Sequence, residues 1–434
     1  MANKHMPWDL AQMQSLPLEA KIRMTQERIR IWYESWKKYT IYNTKTKKTR
    51  FVTWNEEPSE RGCYVKKEKK IDGRKVEVDV LVPGTKLKPT ERIEAVEDGQ
   101  VYVAFSGGID STVLKHIVDG MYSDVPALFV NTGLEYPEIQ KFVKDIKAGK
   151  YDCFNSDVEI VRPEMRFDEV LRKFGYPVIS KSVSNAVRQA RQNIKDGKYS
   201  LRLCQLGVNE SEHGGLKVPN GYDFHKTVEK SKFRKQKYRY LIDADFESSE
   251  ECCYVTKKKP ANEYSKATGR KPFVGTLASE SMLREKNWLR YGCNAFDAKK
   301  PQSQPLSFWT DQDILHYIKE YNVPYCSVYG DIVIDEKVDG DSVLEGQVNL
   351  IDYLGCYEPE DKLKTTGCSR TGCIYCAFGS HLEKEPNRFQ RLKETHPRQY
   401  EYCINGGEMV EGKWQPSKEG LGLGKVLDYI GVKY

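Results

Sequence analysis

The chain has 434 residues, with 69 Lys plus Arg against 62 Asp plus Glu and a formal net charge of +7 at pH 7. Charged residues at 30% and hydrophobic residues at 39% are ordinary for a globular chain, which argues against extensive disorder and allows two or three domains. No run approaches the ~20 apolar residues that cross a bilayer, and MANKHMPWDLAQMQ has no apolar secretory region, so a cytoplasmic protein without membrane contact is expected.

Residues 16–37 predict a helix, with Pro17 near its start and Leu18, Ile22, Ile29, Trp32 and Trp36 as an apolar stripe. Residues 40–95 then read as a small β-rich insertion. Within it residues 50–54 and 75–82 are strand-like, Val76, Val78, Val80 and Val82 alternate, and Asp72-Gly73 signals a hairpin turn. From Gln100 the pattern alternates: strand 101–105, helix 112–121, strand 127–130, a helix through Lys144, strand 158–161 and a helix at 167–174. Such alternation predicts an α/β fold on a doubly wound parallel sheet, with ligands at the carboxyl ends of the strands. Residues 204–250 read as basic loops, residues 381–397 as one charged amphipathic helix with structural histidines at 381 and 396, and GLGLGK at 420–425 as a turn.

The first chemistry lies at 106–112. Ser106, Gly107 and Gly108 leave a buried strand, and Asp110, Ser111 and Thr112 open a helix. Glycines let backbone N–H groups approach an anion, and the helix N-terminus adds free donors and the positive end of its dipole. The three hydroxyls are further donors, and Asp110 suits Mg²⁺ or the helix cap. GxxxxGK[ST] is missing, which excludes a Walker A loop. Basic runs at 45–50, 66–70 and 230–240 suit phosphate contacts, and the last interleaves Phe233, Tyr238 and Tyr240 for base stacking; a solvated charged surface is the alternative.

SGGIDS resembles the PP-loop of the adenine-nucleotide alpha-hydrolase group, which includes ATP pyrophosphatases and sulfonucleotide reductases. NTGLEYPE, with Asn131, Thr132 and Gly133, and GTLASESMLR, with Glu280, Ser281 and Arg284, are similar to nucleotide-site loops of phosphoadenosine phosphosulfate reductases. WTDQDILHYI resembles their WTxxDVxxYI segment. The resemblance implies a HUP-like sheet over about residues 96–330 that binds ATP or a related adenosine nucleotide with Mg²⁺, Asp110 and Arg284 serving catalysis. A helical segment at 1–39 and the β-rich insertion at 40–95 would precede it, and a Cys-rich region at 331–434 would follow. Thr276 and Leu277 depart from the family, many of whose members carry arginine after the glycine.

A Cys-Cys pair with a later CxxC is similar to the arrangement that holds a 4Fe-4S cluster in adenylyl-sulfate reductases. Here Cys252-Cys253 and Cys373-Ile-Tyr-Cys376 match it, and Cys368 is a fifth candidate. Zinc suits four thiolates as well, Cys356 or Cys293 can replace one of the pair, and Arg370 between the thiolates favours an anionic cluster or substrate. Cys63, Cys153, Cys204, Cys326 and Cys403 read as structural thiols. Family reductases carry their nucleophile in a Glu-Cys-Gly-His-like tail, whereas this sequence ends GKVLDYIGVKY and its last cysteine is Cys403. The expected function is therefore ATP-dependent adenylylation with cluster-assisted sulfur transfer from a sulfur donor, a nucleic acid being the candidate acceptor. A sulfonucleotide reductase with a thiol reductant is the alternative, and a non-catalytic nucleotide sensor the third reading.

Overall fold

The computed structural model describes residues 3–53, 63–71, 74–82, 87–97, 99–229, 234–335 and 361–434; Trp54, Asp72-Gly73, residues 230–233 and Cys356 lie outside the described residues. Two helices come first, α1 (Pro7–Gln14) and α2 (Leu18–Ser35). Strands β1 (Lys38–Asn43), β2 (Lys48–Thr53), β3 (Cys63–Ile71), β4 (Arg74–Val82) and β5 (Glu91–Glu97) follow. β1 pairs antiparallel with both β2 and β5, and β3 with β4.

The alternating region runs β6 (Val101–Phe105), α3 (Ile109–Met121), β7 (Ala127–Val130), α4 (Pro137–Lys147), β8 (Val158–Val161), α5 (Phe167–Phe174), β9 (Val178–Ile179) and α6 (Lys181–Lys195). After it come α7 (Leu201–Gln205), α8 (Phe224–Glu229), α9 (Lys259–Thr268), β10 (Lys271–Val274), α10 (Met282–Tyr291), β11 (Asn294–Ala295), β12 (Gln302–Ser303) and α11 (Asp311–Glu320). The last elements used below are β13 (Ile332–Ile334), β14 (Leu363–Thr365), β15 (Ala377–Phe378), α12 (Arg388–Thr395), α13 (Pro397–Ile404) and α14 (Leu423–Tyr429).

Several boundaries differ from the sequence pattern. The single helix expected at 381–397 is broken: after a 3₁₀ turn at Ser380–Leu382, the Asn387 side chain caps α12 by accepting from the Phe389 and Gln390 N–H groups. Pro397 then opens α13, as proline suits a first helical turn. GLGLGK is only partly a turn, since Leu423 starts α14 and is buried with Val426 and Leu427. Residues 204–250 contain α8 and a 3₁₀ helix at Gln236–Ile242, and Arg191 secures the stretch by donating to the carbonyls of Leu241, Ile242, Ala244 and Phe246.

The chain forms two compact units that interleave along the sequence. Unit 1 comprises Met1–Phe129, Pro137–Ile160 and Ala261–Arg370; unit 2 comprises Val130–Tyr136, Val161–Pro260 and Thr371–Tyr434. The main sheet has the order β11-β12-β10-β6-β7-β8. β6 is parallel to β7 and β10, and β10 to β12, but β11 is antiparallel to β12, so the expected parallel sheet is mixed at that edge. The chain passes from β6 outward to β7 and β8, then returns to build β10 on the other flank. The strand order therefore reverses beside β6, and such a reversal opens a crevice at the carboxyl end of the strand.

Unit 1 owes its core to short apolar runs. Val101, Tyr102, Val103 and Phe105 are all buried, as in a strand covered on both faces, and α4 turns Ile139, Phe142, Val143 and Ile146 inward at helical spacing. α2 is buried through Ile22, Ile29 and Trp32, and it carries two polar anchors. Lys21 forms a buried ion pair with Asp313 of α11 at 2.7 Å, and the Thr25 hydroxyl accepts from Trp309 Nε1 at 2.9 Å. In unit 2, β9 pairs in parallel with β15, and Val183, Ala186, Val187 and Ala190 of α6 share a core with Leu203, Phe389, Leu392 and Val426. No described helix is long and apolar enough to cross a membrane.

Candidate functional site

In unit 1 the turn after β6 is held by its own backbone and hydroxyls. Gly107 has φ +73°, and a Cβ there would lie 2.8 Å from Ile139 Cγ2 and 3.1 Å from Val143 Cγ2. Gly275, directly after β10, is equally confined: its Cβ would stand 3.0 Å from both the Asp110 carbonyl oxygen and the Ser111 Cα. Ser111 Oγ accepts from the Ser106 N–H at 3.1 Å and donates to the Gly108 carbonyl at 2.9 Å. The Thr112 hydroxyl donates to the same carbonyl at 3.0 Å and is wholly buried, so it shapes the turn rather than facing solvent. Ser106 is exposed, and the Ile109 N–H is engaged by the Tyr329 hydroxyl at 3.2 Å.

Charged side chains gather around the first turn of α3. Asp110 is pushed up to about 6, mainly by burial and then by the nearby Asp311, while Arg370 and Arg284 pull it back. Glu280 is ion-paired with Arg284 and lies 3.3 Å from Arg370, which reaches Asp311 at 3.5 Å. Glu280 also accepts from the Leu277 N–H at 3.0 Å, and Ser281 caps α10 through the Arg284 N–H. Burial, then the charge of Arg370, holds Arg284 below its ordinary value. Arg370, placed among the thiolates by its position in the sequence, thus belongs with carboxylates. Asp311 and Tyr329 were not legible as site residues; the doubled aspartate of WTDQD was the one signal for the former.

Unit 2 holds the second loop and four of the five candidate thiols. Asn131 Oδ1 accepts from the Gly133 N–H at 3.1 Å, and the Thr132 hydroxyl donates to the buried Glu135 at 2.7 Å. The loop joins the CxxC segment through the Ile374 N–H, which donates to the Leu134 carbonyl at 2.9 Å. Cys252 and Cys253 enter a π-helical turn, Tyr254–Lys258, and their sulfurs lie 3.9 Å apart. The hydrogen bond between them lowers Cys253 and raises Cys252; Lys181 and Lys257 add to the lowering against burial. Burial pushes Cys373 up to about 11, Lys257 opposing it, and also raises Cys376. Burial works against Lys257, yet Cys373, Glu135 and Cys253 hold it above its ordinary value.

These four thiols suit an anionic metal group in kind and number. Among the described residues, however, no three His, Cys, Asp or Glu side chains converge as a group able to hold a metal ion. Cys368 lies in unit 1, where its N–H donates to the Val328 carbonyl at 3.0 Å. The ten cysteines whose side chains are described are all free.

The phosphoadenosine phosphosulfate reductase domain matches residues 100–197 and 217–377, more than half of the chain. The chain belongs to the phosphoadenosine phosphosulfate reductase family. This makes it an enzyme of the sulfonucleotide-reductase or PP-loop type. A crystal structure of phosphoadenylyl-sulfate reductase from Candida auris, in a phosphate complex, is similar over 52% of this chain and 75% of its own, at 13% identity and a TM-score of 0.28. A search of curated proteins finds no match. The family domain spans the turn at 106–112, residues 131–133, Glu280 to Arg284, Arg370 and all five candidate thiols, and it leaves out β1–β5 and residues 198–216.

Proposed function

We propose that this chain binds an adenosine nucleotide at the turn after β6 and uses ATP to adenylylate an acceptor for sulfur transfer. The observation that carries this reading is the grouping of Asp110, Glu280, Arg284, Asp311 and Arg370 around the N-terminus of α3. The two guanidiniums suit phosphate oxygens, and Asp110 with Asp311 suits Mg²⁺. In the reaction an acceptor oxygen bonds to the α-phosphorus as the bond to pyrophosphate breaks. A sulfur nucleophile then displaces AMP. This chain's residues would position the two partners and neutralise phosphate charge, which is where most of such a barrier is lowered.

Cys252, Cys253, Cys373 and Cys376 would hold a 4Fe-4S cluster, zinc being the rival occupant. When bound, the cluster would supply electrons. Lys181 and Lys257 would balance its negative charge. Lys237 and Arg239, both exposed, with Tyr238 and Tyr240 would offer a nucleic-acid acceptor phosphate contacts and stacking rings. The reading places the protein in the cytoplasm, where thiols stay reduced.

Reduction of a sulfonucleotide to sulfite is the second reading, favoured by the family itself. It needs an accessible nucleophilic thiol, and Cys403 does not suit the part, being wholly buried with its thiol pushed far up. Anaerobic protein should release pyrophosphate from ATP in the presence of an acceptor. Sulfite from a sulfonucleotide plus thioredoxin, without pyrophosphate, would transfer the conclusion to the reductase.

A further inference from the structure

Unit 2 carries a second set of reactive side chains besides the four candidate ligand thiols. Cys204 of α7 faces His225 of α8, with Sγ 3.6 Å from Nδ1. The other ring nitrogen, Nε2, lies 2.9 Å from Glu210 Oε1. With Glu210 accepting from Nε2–H, Nδ1 is left free to take a proton from the thiol. A nucleophile, a base and a carboxylate that orients the base thus stand in hydrogen-bonded sequence.

The surroundings hold this geometry. The Tyr199 ring stacks on His225 at 6.1 Å, and its hydroxyl donates to the Val208 carbonyl at 2.8 Å. The Asn209 N–H donates to Glu212, which is ion-paired with Arg239 and so fixes the chain around Glu210. Cys204 is buried, whereas the His225 side chain hydrogen-bonded to it is 51% exposed. Cys204 and Glu210 lie within residues 198–216, which the family domain does not match.

We propose that Cys204 is a nucleophilic thiol that takes up a sulfane sulfur from a persulfide donor, with His225 as its base and Glu210 as the positioning residue; the choice of substrate rests on the sulfur-transfer reading above. His225 accepts the thiol proton as the Cys204 sulfur attacks the outer sulfur of R–S–SH. The new S–S bond forms, the donor's S–S bond breaks, and the departing R–S⁻ takes the proton from His225. Cys204–S–SH and R–SH result, with no net oxidation or reduction. Burial, Glu210 and Asp223 raise the Cys204 thiol against the effect of Tyr199, so the resting group is a thiol that depends on a base. Cys403, raised by burial alone, is the internal control.

The test treats the full-length protein with glutathione persulfide and follows each cysteine-containing peptide by mass spectrometry. Cys204 should gain one sulfur, with Cys403 unmodified. His225→Asn should slow loading by about 100-fold, in the range general bases supply, and shift its pH profile toward that of an unassisted thiol. Glu210→Gln should give a smaller loss in the same direction, with thermal unfolding unchanged in both variants. Loading of Cys204 no faster than of Cys403, or at the same rate in His225→Asn, would overturn the proposal. If pyrophosphate and sulfite assays both fail while loading still depends on His225, the nucleotide reading falls and the thiol site stands.

Discussion

Replacing Asp110 by asparagine should stabilise the nucleotide-free protein at pH 8 while abolishing pyrophosphate release. The Asp110 carboxyl rises from its ordinary 3.8 to about 6, first because it is buried and then because Asp311 is close. Two pH units at 1.36 kcal/mol each make the ionised group cost the fold roughly 3 kcal/mol. Between pH 3.8 and about 6 the folded chain binds more protons than the unfolded chain at this position, so stability falls as pH rises. The contribution is complete below the unfolded value and lost above the folded one. Asparagine keeps the shape without the charge, and the shift already includes the opposing pull of Arg370 and Arg284, so a gain of up to about 3 kcal/mol is the working figure. Urea unfolding with chelator and without nucleotide, at pH 8 and pH 4, measures it. An advantage at pH 8 that shrinks toward zero at pH 4 is expected. A variant less stable at pH 8, or a gap independent of pH, would refute the electrostatic reasoning.

Three further outcomes follow from other residues. Gly107→Ala must place a side chain at φ +73° and 2.8 Å from Ile139; a loss of about 2–4 kcal/mol in chemical unfolding and weaker ATP binding by calorimetry are expected. Lys21→Met leaves Asp313 buried without its cation, and urea titration should register about 3–5 kcal/mol lost; under 1 kcal/mol would show that water reaches the carboxylate. After anaerobic reconstitution, serine at Cys252, Cys253, Cys373 or Cys376 should lower iron per chain, whereas Cys368→Ser should retain it. Iron lost only in Cys368→Ser would assign the ligands differently.

Much of the α/β region was legible because its signals are local. A continuous apolar run at 101–105, glycines at 107 and 108 and the periodicity of α4 each depend on a few neighbouring residues. The break at 381–397 was also local, but a charged helical pattern masked the capping role of Asn387 and the stop at Pro397. The mixed edge of the sheet was not legible, since two-residue strands such as β11 and β12 carry no periodicity of their own.

Arg370 marks the boundary between what sequence and tertiary structure decide. Residue order placed it among thiolates, two positions after Cys368, yet its guanidinium rests between Glu280 and Asp311. Likewise the cysteine spacing named five candidate ligands, and the division into units kept four together in unit 2 and left Cys368 in unit 1. The sequence by itself determined the glycine turn at 106–112 and the stock of thiols, because backbone geometry and side-chain chemistry are properties of short segments. Only the tertiary structure decided which charges surround Asp110 and which imidazole faces Cys204, because through-space electrostatics and hydrogen bonding take no account of distance along the chain.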